Sequence, residues 1–353
     1  MKIDDIARLA GVSKSAVSLA FNNKPGVSEE TKEHILKIAQ EHGYRPRTMK
    51  SNKEFTKNHH VIRFVACKNT GIVTEQYESL PFFNELIHHI TSQVRNHGNT
   101  LIFSSFDSHS LEEELSALEK DQPSSGVLLL GTNLTSEIIH SIQSIHTNIV
   151  ILDTCFEHID ASFVSINNYL GGYQAGQYLI QSGHRQIGYV QSSTRILNFK
   201  KRKEGFMAAL EEHDLSIDDS LTFNMHPMLV MSQDSFKAAI QELTELPSAL
   251  FCENDYMAIS AIKTFQEMNI RVPEQISVMG FDNIHEAKVI SPELTTIHVK
   301  KDVLAQTAVS LLMEKLNQNQ EHHTQVLVNT EVIERKSCLA TQWSFYQERR
   351  YDS

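Results

Sequence analysis

The sequence predicts two architectures in one chain: a small all-α helix-turn-helix head, and an α/β body made of two doubly wound parallel-sheet lobes. Three observations carry this. Residues 1–46 hold three short stretches with helical apolar spacing, separated by turn residues. From Val61 onward the pattern changes to short apolar runs alternating with amphipathic stretches, in two sets of similar length. Charge is also divided. The first 60 residues hold 11 Lys and Arg against 7 Asp and Glu, a net of +4, so the rest carries -15 of the chain's -11.

The head begins with Ile3, Ile6, Ala7 and Ala10 at three- and four-residue steps, with Asp4 and Asp5 in the first turn, where the helix dipole favours them. Gly11 marks a sharp turn. Ser13 is a suitable N-cap for a second helix reaching about Phe21, with Val17, Ala20 and Phe21 facing inward. Ser28 caps a third, with Ile35, Ile38 and Ala39 inside, ended by Gly43 and Pro46. Two helices joined by a Gly-containing turn, with a third packed across them, form the unit that lays its second helix in a DNA major groove. Lys14, Ser15 and Ser18 then face the groove, and Asn22 can meet backbone or bases.

Residues 3–20 with Asn22, VSEET (27–31) and GYRP (43–46) resemble the headpiece of the lactose/galactose repressor family of bacterial transcription regulators. The resemblance implies base-reading roles for Lys14 and Ser15 and DNA contacts for Ser13, Ser18, Leu19, Asn22 and Tyr44. Leu19 stands where many relatives carry an Arg that contacts guanine; leucine has no donor, and is left to touch a thymine methyl or to pack on the head. The connector, 47–60, departs from the family's hinge helix, which orders on DNA and wedges a Leu into the minor groove. Lys53 falls where that Leu belongs and Ser51 replaces an Arg, leaving Met49 or Phe55 as apolar residues in a shifted register. A flexible charged tether is the alternative.

In the body, strands are expected at 61–66, 100–104, 126–130 and 149–152, then at 163–166, 186–190, 249–252 and 276–280. A helix over 82–97 carries Phe83, Leu86, Ile87, Ile90 and Val94 on one face. Ligands bind such sheets at the carboxyl ends of strands, so the cleft between the lobes is the expected site. Asp282 follows a strand end, and Arg202 opens a helix on the same cleft. Phe82 and Phe83 offer flat faces to a ring, although Phe83 also lies on the apolar stripe. Arg195 and Asn198 precede Arg202. Asn254 and Asp255 sit at another strand end, where Asp255 can equally cap a helix.

The blocks PFFNEL (81–86), GGYQAG (171–176), GHRQIG (183–188), RKEGF (202–206), CENDYMA (252–258), GFDN (280–283) and LTTI (294–297) resemble, in order, the periplasmic-binding-protein-like core of the same family. The resemblance implies three crossings between lobes, near 160, 292 and 321. The core at 61–340 then divides into an N-terminal lobe of 61–160 and 293–320 and a C-terminal lobe of 161–292 and 321–340, leaving 341–353 as a tail. Relatives carry an Asp-Asn pair at Asn167-Asn168, so Asn167 is an expected effector contact without the carboxylate. Ile196 replaces an Arg of the purine-binding branch. Both changes argue against a purine base and leave a sugar or another small metabolite.

Other chemistries find little support. The four cysteines, 67, 155, 252 and 338, form no CxxC and suit a reducing compartment. The charged MKIDDIARLAG start does not read as an export signal, and no apolar run is long enough to span a bilayer. Gly171 and Gly172 are adjacent, which breaks the dinucleotide GxGxxG spacing. The histidine doublets and CFEH (155–158) lack a second ligand pair for zinc. No GxSxG elbow or acid–base set appears. The expectation is a cytoplasmic, homodimeric, ligand-responsive regulator, a repressor without cofactor, metal, membrane or catalytic activity, that binds double-stranded operator DNA. The competing reading is the solute-binding protein of a transport system.

Overall fold

The computed structural model describes residues 3–21, 26–42, 59–68, 71–132, 134–318 and 322–340. The chain divides into two units, Met1–His59 and His60–Ser353. The connector residues 47–58, with Met49, Ser51, Lys53 and Phe55, and the tail at 341–353 lie outside the described residues.

The head contains α1 (Ile3–Leu9), α2 (Lys14–Phe21) and α3 (Glu29–Glu41). Gly11 turns the chain between α1 and α2 at φ +65°, and a Cβ there would meet nothing within 4 Å. Backbone conformation, not space, therefore requires glycine. Ser13 Oγ accepts from the Ala16 amide at 3.2 Å, and Ser28 Oγ from the Thr31 amide at 3.2 Å, so both later helices have serine N-caps. Ile6, Val17 and Ile35 are wholly buried, one from each helix, with Ala7, Ala20 and Ala39 closing the gaps. Each large side chain so buried contributes about 1.5–3 kcal/mol, which a unit this small needs.

Among the described residues, the body holds two six-stranded sheets. The first runs β11-β5-β4-β3-β1-β2, all parallel, from β1 (Val61–Lys68), β2 (Thr100–Asp107), β3 (Gly126–Leu130), β4 (Ile149–Leu152), β5 (Phe163–Ile166) and β11 (Gln325–Val328). The second runs β12-β10-β9-β8-β6-β7, from β6 (Ile187–Ser192), β7 (Thr222–Met225), β8 (Ala249–Cys252), β9 (Ser277–Asp282), β10 (Thr295–His298) and β12 (Glu331–Ile333), with only β12 antiparallel. The central strands β3, β4, β5, β8 and β9 are buried along their whole length, as parallel strands covered on both faces must be. Helices α4 (Pro81–Asn96), α5 (Leu111–Asp121), α6 (Ser136–Ile145) and α11 (Lys301–Gln318) pack on the first sheet or on each other. Helices α7 (Asn168–Gln181), α8 (Leu197–Glu211), α9 (Asp234–Gln241) and α10 (Asp255–Glu267) do so on the second.

Sheet membership corrects the lobe boundaries. The chain crosses at 167, at 299–300 and at 329–330, not near 160, 292 and 321. β5 and β11 belong to the N-terminal lobe, and β10 to the C-terminal lobe. Each strand pairs in its own lobe before the chain crosses. An apolar run announces a strand, whereas its partner is set by contacts distant in sequence.

The glycine block at 171–176 serves packing. α7 and α8 cross so closely that a Cβ at Gly172 would overlap the Arg202 carbonyl oxygen, and one at Gly205 would overlap that of Tyr169. Glycine on both helices lets the backbones touch and fixes where α8 carries Arg202.

Candidate functional site

The cleft lies between the lobes at the carboxyl ends of strands. The N-terminal lobe contributes Ile72, Phe82 and Phe83 at the start of α4, Thr132 beyond β3, and Asp153 directly after β4. The C-terminal lobe contributes Ile196, Asn198, Phe199 and Arg202 from the start of α8, Met228, Asn254, Tyr256 and Asp282. The cleft's free volume is about 30 Å³, room for a couple of waters and less than a metabolite needs.

Arg202 is the centre of the polar wall. It donates from Nε to Asn168 Oδ1 at 2.9 Å and from Nη1 to the Glu253 carbonyl at 2.5 Å, and its guanidinium lies 3.6 Å over the Phe281 ring. Nη2 stands 3.2 Å from Asp282 Oδ1, an ion pair off axis for a hydrogen bond, so that among the described residues this buried oxygen has no aligned donor. Asp282 adopts φ +111°, a strained conformation for a side-chain-bearing residue, and its carbonyl is held by the buried Lys301 Nζ at 3.0 Å. Burial raises its carboxyl pKa, opposed by Arg202 and Lys301.

Asp153 faces it from the other lobe. Thr132 Oγ1 donates to Oδ2 at 2.6 Å, and Asn198 Nδ2 donates to the Asp153 carbonyl at 2.8 Å and to Oδ1 at 3.2 Å. Burial pushes the Asp153 pKa up to about 6, with the Asp282 charge adding to the rise and Thr132, Arg202 and Asn198 opposing it. A second tie between lobes runs from the Phe82 amide to the Tyr256 hydroxyl at 3.2 Å.

Of the expected contacts, Phe82, Phe83, Asn198, Arg202, Asn254 and Asp282 line this cleft. Asn254 does so with its amide engaged, capping α10 through the Met257 amide at 2.9 Å and donating to the Pro227 carbonyl at 2.8 Å. Three expectations are corrected. Arg195 turns away and pairs with the buried Glu253 at 2.5 Å, in a network closed by the Tyr189 hydroxyl and the Ser192 amide. Asn167 caps α7 and donates to Asn329 Oδ1 at 2.9 Å, tying two crossing strands outside the cleft. Asp255 is fully buried behind the cleft, accepting from the Ile284 amide at 2.9 Å and the Thr296 hydroxyl at 2.5 Å; burial pushes its pKa up to about 8. Asp153, Thr132, Tyr256 and Phe199 were missed. The rule that singles out Asp282, a carboxylate at the carboxyl end of a strand, applies equally to Asp153 and restores the second carboxylate that Asn167 lacks.

On the head, Ser13, Lys14, Ser15 and Ser18 are exposed along one side of α2. Ser13 Oγ lies 2.8 Å from Ser15 Oγ. Leu19 is half-buried and covers Gly26, where a Cβ would come to 3.0 Å from Leu19 Cδ1. Leu19 thus packs on the head. Asn22 and Tyr44 lie outside the described residues.

A helix-turn-helix head followed by a two-lobed body with a polar cleft at its strand ends defines a ligand-binding regulator of DNA. Residues 2–47 match the bacterial regulatory proteins of the lacI family, and 177–338 match the periplasmic binding protein-like domain. The chain is 30% identical over 342 residues to the HTH-type transcriptional repressor PurR of Mannheimia succiniciproducens, covering 95% of this chain and 98% of that one. It belongs to the lacI family of bacterial regulatory proteins. Among solved structures, the lac repressor dimer bound to operator and the anti-inducer ONPF shares the fold, with TM-score 0.71, 22% identity, and 96% of this chain and 99% of that one covered. A complex of the transcriptional regulator CelR with cellobiose does so at TM-score 0.69, 23% identity and coverage of 96% and 99%. The relatives are transcriptional regulators, not enzymes. Among the described residues, no helix is long and apolar enough to cross a membrane.

Proposed function

We propose that the chain is a cytoplasmic, homodimeric repressor without catalytic activity, in which residues 1–46 bind operator DNA, 47–60 join the head to the core, and the cleft binds a small neutral metabolite, a sugar. The observation that carries the effector reading is the buried Asp282 Oδ1, an acceptor with no aligned donor among the described residues, next to the Arg202 guanidinium. A ring hydroxyl can donate to that oxygen while Phe82 and Phe199 cover the ring's flat faces. Two carboxylates, Asp153 and Asp282, face the Arg202 guanidinium and the Lys301 ammonium, and Lys301 is also paired with Glu85 at 3.1 Å, so the cleft offers an anionic ligand no net positive charge. Similarity to the cellobiose complex of CelR supports a sugar, and the operator-bound lac repressor dimer supports paired heads on two half-sites. Effector binding parts and recloses the lobes and so changes operator affinity by a coupling free energy.

The test is a melting-temperature screen of neutral sugars, nucleobases and sugar acids against the full chain and Asp282→Ala. The reading expects one class of neutral sugar to stabilise the wild type and not the variant. Equal stabilisation of both would place the ligand elsewhere.

A further inference from the structure

A second cavity of about 420 Å³ opens at the other end of the N-terminal lobe, where β4 and β5 begin. Its walls are the end of α6, the last turn of α11 and the segment at His323. Lys315 lines it and is 5% exposed. A buried ammonium needs partners for its three N–H groups. Among the described residues, the single contact of Nζ is a long one, 3.5 Å, to the His322 carbonyl. The carboxylate that acts on Lys315, Asp160, is exposed and pairs with His323 Nδ1 at 2.9 Å. The last turn of α11 favours a cation there, while burial lowers the Lys315 pKa, the direction of a charge short of partners.

The other polar groups divide into engaged and available. His146 uses both ring nitrogens: Nδ1 accepts from the Asn148 amide at 3.1 Å, so Nε2 carries the proton and donates to the Ser124 carbonyl at 3.3 Å. Gln143 donates to the Asp160 carbonyl at 3.0 Å and Asn148 to the Ser125 carbonyl at 3.4 Å. His323 keeps Nε2. Ser162 Oγ accepts a 3.4 Å bond from the Thr324 amide and keeps its own proton. Among the described residues, the donors left at the cavity are thus Lys315 Nζ and the hydroxyl of Ser162, and Lys315 has no buried counter-charge. His323 donates from Nδ1 to Asp160, so Nε2 of its neutral ring is an acceptor, which the P–OH of a phosphate monoester can meet. Beside them, Ile149, Ile151 and Ala161 form an apolar wall.

We propose that this cavity is a second ligand site, separate from the interlobe cleft, for a small phosphate-bearing metabolite whose phosphate meets Lys315, His323 and Ser162 and whose organic body lies on the Ile149–Ile151 wall. The volume is within the range of about 300–1,000 Å³ typical of small-molecule sites and far exceeds that of a bare phosphate. The site also bears on the start of β1. Asn148 holds the Ser125 carbonyl, and Ser125 exchanges bonds with Val61 at 2.7 and 3.3 Å. Occupancy therefore stiffens the strand into which the connector leads.

The test is isothermal titration and melting temperature of the full chain with glucose 6-phosphate, glycerol 3-phosphate, inorganic phosphate and inorganic sulfate. The variants are Lys315→Met, Ser162→Ala and, for the cleft, Asp282→Asn. At least one phosphate ester should stabilise the wild type and Asp282→Asn alike. Lys315→Met should weaken that binding by about tenfold or more, with Ser162→Ala weakening it less, because a charged hydrogen bond is lost. Lys315→Met should melt no lower than the wild type without ligand, since a buried charge is removed. The proposal is overturned by no shift with any ester, by sulfate matching the esters (an adventitious ion only), or by a shift that survives Lys315→Met and disappears in Asp282→Asn.

Discussion

Asn198, on α8 of the C-terminal lobe, donates to the backbone oxygen of Asp153, at the end of β4 in the N-terminal lobe, over 2.8 Å. The same amide reaches the Asp153 carboxylate at 3.2 Å, so one side chain holds the lobes together at the floor of the cleft. Asn198→Ala removes both bonds and leaves the Asp153 group short of a donor. The expected result is a more open core, read as a larger radius of gyration by small-angle X-ray scattering, with the secondary structure unchanged.

Asp153 makes stability depend on pH. Its pKa is raised from 3.8 to about 6, so the folded state binds the proton more tightly than the unfolded chain. That stability is complete below about pH 4 and is lost as pH rises through 6. Asp255, raised to about 8, extends the loss to higher pH. Asp153→Asn should therefore lessen the fall in melting temperature between pH 4 and 6, to which Asp255 also contributes, and leave the fall between 6 and 8. An unchanged profile would mean that another group controls it.

Arg202→Ala should be costly. The guanidinium is buried, bonds to both Asn168 and the Glu253 carbonyl and sits opposite Asp282; its loss strands a buried carboxylate, at about 3–5 kcal/mol. Chemical denaturation measures this directly. Asp282→Asn keeps the shape and an acceptor oxygen but leaves the buried Arg202, still bonded to Asn168 and the Glu253 carbonyl, without an opposing charge; it should also lower stability and should weaken the effector response.

Gly172→Ala should disrupt the α7–α8 contact, because its Cβ meets backbone that cannot rotate aside. The expected outcome is a large fall in melting temperature. Gly98→Ala, at φ +75° in an exposed turn with nothing within 4 Å, should cost only the backbone strain, about 1 kcal/mol.

Some of this was legible in the sequence, for reasons that differ residue by residue. Runs such as 126–130 and 249–252 are apolar throughout because both faces of a central parallel strand are covered. Ser13 and Ser28 could be read as caps because capping is local. The crossings at 167, 299–300 and 329–330 could not, since strand pairing joins residues more than a hundred positions apart, as with Phe163 and Gln325. Arg195 and Arg202 are the same residue type, seven positions apart. Only Arg202 lies on the face of α8 shared with Asn198 and Phe199, while Arg195 precedes the helix and answers the buried charge of Glu253.

The head carries the most direct expectation. Lys14→Ala should weaken binding to the preferred site and relax discrimination at one base position, by about 1–3 kcal/mol, if Lys14 reads a base edge. Leu19 covers Gly26, so Leu19→Ala should lower the stability of the head more than it changes base preference.

The central claim, that this lacI-family chain reads DNA through α2, is tested most directly by selecting bound duplexes from a random-sequence pool with the full chain and measuring their affinity against salt. The account predicts a near-palindromic pair of half-sites, affinity that falls steeply with salt, and loss of preference at one position per half-site in Lys14→Ala. Recovery of no common sequence, or of one that Lys14→Ala reads unchanged, would contradict it.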